Sequence, residues 1–176
     1  MKKIFIVGDS GSHSVTKAVI TALGSCGGVL VCDRGRIYEN GSSPDFFVIC
    51  LSKLSELRCN GGIAVFCRAL SGVDSDAPME GFTAITDAEN RSALNILKDK
   101  SIPVVGCSVS GCDSLCLSGI DGLYRLISLR RMLPPGAVEP HEFAVRLKKN
   151  IPHYALLAAC AVLLLCGVDS ENGYCF

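Results

Sequence analysis

The first apolar run of the chain, Ile4-Phe5-Ile6-Val7, runs directly into Gly8-Asp9-Ser10-Gly11-Ser12-His13-Ser14 and then into the helix-compatible segment Val15 to Leu23. A buried strand, a glycine turn and a helix start in that order restrict the chain to an α/β fold. They also mark the place where such folds cradle a phosphate, on backbone N–H groups at a helix N-terminus. A phosphate loop carries a lysine after its second glycine, but here Ser12 stands in that position. The residues Gly8, Asp9, Ser10, Gly11, Ser12, His13 and Ser14 are therefore read as a degenerate phosphate loop and the candidate cofactor-binding segment.

The remaining strand signals alternate with helices and turns. Strands are expected at Lys3–Val7, Gly28–Asp33, Asp45–Leu51, Gly62–Cys67, Phe82–Thr86 and Ile102–Cys107. Helices are expected at Ser14–Leu23 and Asp87–Lys100, the second with Asp87 or Asn90 at its cap, and a helical turn at Ser52–Leu57. Gly35 to Pro44 and Ala69 to Gly81 read as polar loops. This alternation predicts a mostly parallel sheet with helices on both faces. After Gly111 the pattern changes to antiparallel strands at Ser114–Ile120, Leu123–Leu129 and Phe143–Leu147, followed by a closing helix, Tyr154–Cys166. With 176 residues, no internal repeat and no low-complexity linker, residues 1–176 are expected to form a single domain.

Composition narrows the function classes. The formal net charge is zero, and no basic stripe points to nucleic acid. The most apolar segment, Tyr154 to Val168, is shorter than the roughly 20 residues a bilayer-spanning helix needs, so no membrane role is expected. The apolar run behind Met1-Lys2-Lys3 breaks at Gly8-Asp9, too early for a signal peptide. The eleven cysteines are odd in number and several sit inside apolar runs, as small buried hydrophobes of a reducing cytoplasm would. Cys107, Cys112 and Cys116 form the one tight cluster, and their C-x4-C-x3-C spacing matches no standard zinc or iron–sulfur pattern. No metal site is assigned to them.

Several segments, taken in order, resemble the central domain of the Mur ligases and their folylpolyglutamate synthase relatives, a P-loop NTPase-like fold. Ile6 to Ser14 resembles that family's strand plus G-T-N-G-K-T-T loop, and Asp45 to Ser52 its apolar strand ending in Glu-Leu-Ser. Gly62–Phe66 resembles the strand that follows, Thr86-Asp87-Ala88-Glu89-Asn90 the N-A-D-D run, and Ile102–Gly106 the strand after it. Leu156–Val162, closing at Gly167-Val168, resembles the helix that ends the central domain. The resemblance implies an ATP- and magnesium-dependent amide-forming ligase linked to cell-wall metabolism. A full ligase of this kind also carries an N-terminal and a C-terminal domain, for which 176 residues leave no room.

The chemistry the residues support departs from that expectation. In the register of the resemblance, Ser12 replaces the phosphate-binding lysine, His13 the magnesium hydroxyl, and Cys50 the magnesium-binding glutamate. A thiol is a poor ligand for a hard cation, and Asp9 sets a negative charge where phosphates would sit. Lys17 lies roughly one turn along the helix and points away from the loop. Ala155 stands where the family has an asparagine before its last helix. ATP and magnesium are accordingly disfavoured, and the chain reads as a non-catalytic, ligase-like pseudoenzyme with no catalytic residue assigned. It would keep residual nucleotide or phosphate binding or act as a scaffold for a protein partner. Lys53 and Arg68 could line the ligand-binding edge of the sheet but read as solvated strand ends. Apolar residues near Leu133–Val138 or in Gly173–Phe176 are the expected surface for a homodimer or protein partner.

Two alternatives remain open: an ATP-binding component of an amide-forming ligase, and an esterase. Gly8-Asp9-Ser10 also resembles the GDS-type esterases, with Ser10 as nucleophile. That family's G-x-N-D block and C-terminal D-x-x-H pair are absent, and His141 follows Glu139-Pro140 instead. A serine without a base is inert.

Overall fold

The computed structural model describes residues 1–8, 13–41, 43–56, 59–67, 78–109, 111, 113–133 and 138–176, with the side chain of Glu56 excepted. The segments Asp9–Ser12 and Ala69–Ala77, and with them Arg68 and Cys112, lie outside the described residues.

Among the described residues, strand β1 (Lys2–Val7) lies inside a sheet of eleven strands. It pairs in parallel with β4 (Pro44–Leu51) on one side and β5 (Gly62–Phe66) on the other. Beyond β4 comes β2 (Gly28–Asp33), again parallel; beyond β5 come β6 (Phe82–Asp87) and β7 (Val104–Ser108), also parallel. The near-continuous apolar character of these runs follows from their position, because a central parallel strand is covered on both faces.

Alternation along each strand sends side chains to two cores. Ile4, Ile6, Val48, Val65, Ile85 and Val105 face α1 (Ser14–Gly24) and α3 (His153–Leu165). Phe5, Val7, Ala64, Phe66, Phe82 and Ala84 face α2 (Arg91–Lys98). The mostly parallel sheet with helices on both faces is therefore present. In α1 the buried residues are Val15, Thr16, Ala18, Val19, Ala22 and Leu23, one stripe at helical spacing. By contrast, every residue of α3 from Tyr154 to Leu164 is buried, the helix packing on β5 to β8 and against α1 beside it on the same face. No helix among the described residues is long and apolar enough to cross a membrane.

The C-terminal strands β8 (Leu115–Asp121), β9 (Tyr124–Leu129) and β10 (His141–Arg146) run antiparallel to one another, as expected. However, β8 joins β7 in parallel, and the tail adds a two-residue strand, β11 (Tyr174–Cys175), parallel to β10.

One expectation is corrected and a second is narrowed. Gly35 to Pro44 is not all loop: β3 (Arg36–Asn40) pairs antiparallel with β2 and forms one edge of the sheet. Arg34 and Gly35 take positive φ of 49° and 74°, the two-residue hairpin turn that matches strand twist. All five β3 residues are exposed, so no buried face imposes an apolar alternation on the sequence. The second concerns the expected apolar docking surface. Leu133, Tyr174 and Phe176 are buried in the chain's own core, and Leu133 bridges to Val138. Residues 134–137 lie outside the described residues, Met132 beside Leu133 is exposed, and further exposed apolar side chains are Ile37 and Tyr38 of β3 and Ile120, Leu123 and Tyr124 around the β8–β9 turn.

The α2 helix is shorter than Asp87–Lys100 because Asp87 still belongs to β6 and Asn90 is the cap. The Asn90 side chain accepts the Ala93 N–H at 3.1 Å and donates to the Cys67 carbonyl at 3.0 Å, tying α2 to the end of β5. Replacing Asn90 with Ala orphans two buried groups. We expect a loss of about 1–3 kcal/mol, read as a lower urea midpoint with an unchanged slope.

Candidate functional site

In an open α/β sheet, ligands bind outside the carboxyl ends of the strands, where the connections diverge to either side. Here that point is the end of β1: the chain passes from β1 to β2 on one side and later from β4 to β5 on the other. Gly8 donates its N–H to the Leu51 carbonyl at 2.9 Å, and Cys67 donates to the Val7 carbonyl at 3.0 Å, so β4 and β5 flank the start of the loop. Gly8 has φ of 86°, a left-handed turn that glycine adopts without strain.

Of the expected loop, Gly8, His13 and Ser14 are described, while Asp9, Ser10, Gly11 and Ser12 lie outside the described residues. His13 is the N-cap of α1, with φ of 50°, and its side chain makes no capping bond. Its Nε2 instead meets Arg34 Nη2 at 2.8 Å. Arginine only donates, so His13 accepts through a neutral ring and the guanidinium keeps its charge beside the helix N-terminus. This arginine escaped the sequence reading, because it reaches the loop only through the unforeseen β2–β3 hairpin.

Cys50, in the register of the magnesium-binding glutamate, is half-buried near the end of β4, with its Sγ 3.8 Å from Thr16 Oγ1 of α1. A soft thiol facing a hydroxyl does not fit a hard divalent cation. Among the described residues no group of three or more His, Cys, Asp or Glu side chains could hold a metal ion. Lys17 lines a separate cavity of about 170 Å³ between α1 and the segment before α3, shared with Lys149 and Asn150. Lys53 is exposed beyond β4, and Arg68 lies outside the described residues.

On the far side of the same edge, Asp87 is buried and accepts the Glu89 N–H at 2.9 Å. Tyr154, at the start of α3, donates its hydroxyl to the Phe66 carbonyl. Burial pushes its phenol well above the usual range, with Cys107, Cys67 and Asp87 adding to the effect. The remaining space between Asp87, Glu89, Ser108 and Tyr154 is about 20 Å³, room for roughly one water. The Cys107–Cys116 pair is split by the pleat. Cys107 lies opposite Leu115 and packs toward α3, whereas Cys116 lies opposite Ser108 on the other face, so the two thiols cannot share an ion.

No protein-family model matches the sequence, and no curated protein matches it. Solved structures do match the fold. A murein peptide ligase from Psychrobacter arcticus has 17% identity and a TM-score of 0.64, over 97% of this chain and 45% of that one. A UDP-N-acetylmuramoyl-L-alanyl-D-glutamate–2,6-diaminopimelate ligase has 13% identity and a TM-score of 0.66, over 97% and 44%. A bifunctional folylpolyglutamate synthase/dihydrofolate synthase, solved with Mn, AMPPNP and L-glutamate, has 13% identity and a TM-score of 0.62, over 96% and 55%. The fold is thus Mur-ligase-like, and the chain spans about half the length of the structures it matches.

Proposed function

We propose that this chain is a non-catalytic Mur-ligase-like domain that binds a phosphate-bearing ligand at the Gly8–Ser14 loop without turning it over. The observation that carries this reading is the Arg34–His13 contact of 2.8 Å. It sets a permanent positive charge at the N-terminus of α1, where the helix dipole already favours an anion. Arg34 would take over the charge that Ser12 cannot provide. Catalysis asks for more. Transfer of a phosphoryl group needs the charge developing on its oxygens to be neutralised, commonly by a metal. The thiol of Cys50 offers no hard-cation ligand in that register.

Thermal-shift measurements with ATP, ADP and inorganic phosphate, with and without magnesium, test both halves. Nucleotide at 100 times its dissociation constant should stabilise the fold by about 2.7 kcal/mol. The shift should be independent of magnesium and lost in Arg34→Ala. No shift at millimolar nucleotide removes the anion-binding half; ADP release that depends on magnesium removes the non-catalytic half and restores the ligase-component alternative.

A further inference from the structure

A second chemical cluster sits at the opposite edge of the sheet. His141 begins β10, which runs in the same direction as the parallel strands, so it lies at their amino ends, away from the phosphate loop. Its Nδ1 is 2.7 Å from the Glu139 carbonyl, and its Nε2 is 2.6 Å from Ser170 Oγ. A carbonyl only accepts, so Nδ1 carries the proton and the lone pair of Nε2 faces the Ser170 hydroxyl. This is the arrangement of an activated nucleophile: hydroxyl, base, and a third group that orients the base.

The ring is held in place. Phe143 lies 5.4 Å from it, centre to centre, and Tyr174 packs edge-on against Phe143 at 5.3 Å. Tyr174 also donates to the Val168 carbonyl at 2.9 Å, anchoring the segment that presents Ser170. Ser170 is 7% exposed and borders a cleft of about 810 Å³. That is within the size range of small-molecule sites. Glu139, Glu142, Asp169 and Glu171 line the cleft, and among the described residues no lysine or arginine does.

We propose that Ser170 and His141 form a nucleophile–base dyad that cleaves small esters whose leaving alcohol carries a positive charge. Ser170 Oγ bonds to the ester carbonyl carbon while its proton passes to His141 Nε2. The bond from that carbon to the alkoxy oxygen breaks, and the alcohol leaves with the same proton. Water then gives a proton to Nε2, attacks the acyl-serine and releases the acid, and the serine regains its proton. The four carboxylates supply the preference for a cationic leaving group.

The test exposes the native chain to a fluorophosphonate and maps the adduct by tandem mass spectrometry. Support is a stoichiometric adduct on Ser170 that is lost in urea and forms about 100-fold more slowly in His141→Gln. No adduct on Ser170 in the native protein overturns the proposal, as does equal labelling in urea or in a folded His141→Gln. Should His141→Gln fail to fold, the native-against-urea comparison of the unaltered chain decides. Acetylcholine should slow labelling more than its uncharged isostere, 3,3-dimethylbutyl acetate; equal protection by the two overturns the charge preference.

Discussion

Phe66→Ala should lower stability by about 3–5 kcal/mol, read as a fall in the urea midpoint with the slope unchanged. Phe66 ends β5 and has no exposed surface. Its ring belongs to the core that α2 closes with Ala93, Ile96 and Leu97, alongside Phe82 and Met79. Truncation removes a large transfer term and leaves a cavity that the two β-strands flanking β5 cannot collapse into, because each is hydrogen-bonded on both sides. The Phe66 carbonyl still accepts the Tyr154 hydroxyl in the variant, so the loss measures packing rather than that bond. A change below about 1 kcal/mol would mean that the α2 side of the sheet is loosely packed, contrary to its full burial.

Cys160→Asp should cost a similar amount at neutral pH, on the order of 4 kcal/mol, read as a fall in the urea midpoint or loss of the folded state. Cys160 lies in the middle of α3 with no exposed surface, and burial pushes its thiol far above the usual range. A carboxylate there meets the same desolvation, which burial in the middle of α3 imposes on any charged group. Its folded pKa would rise above the unfolded value of about 3.9, so the folded state binds the extra proton. Stability then falls as pH rises from that value toward the raised folded pKa, and the variant is least damaged in acid. Urea titrations at pH 4 and pH 7 read the difference. Equal loss at both pH values would show that shape, not charge, limits this position.

The parts legible in the sequence are those where one physical signal dominates. The parallel strands announced themselves as short apolar runs because they are buried on both faces. The helix ending at Lys98 began where Asn90 could cap it. The β3 strand was illegible because all of its residues face solvent, so neither face needs apolar side chains. Arg34 was missed for the same reason, since only the hairpin carries it to His13. Within the candidate site, Cys50 could be placed at a strand end from its apolar run, but its contact with Thr16 depends on how α1 lies over β4. The Ser170–His141 pair spans 29 residues and two elements, a separation at which no local spacing rule operates.

The place of α3 in the fold has a consequence for synthesis. The helix follows all of the central strands in sequence, yet it covers the face of β5 to β8 and packs against α1 in the core that also holds Ile4 and Ile6. A ribosome delivers β1 well before α3. Until about residue 165 has emerged, Ile4, Ile6, Val65, Ile85 and Val105 have no complete cover. The nascent chain therefore carries an open apolar sheet face from the synthesis of β1 until α3 emerges, which exposes it to aggregation and to capture by chaperones. Because its central pairings also join distant segments, this domain completes its fold only once α3 has been made.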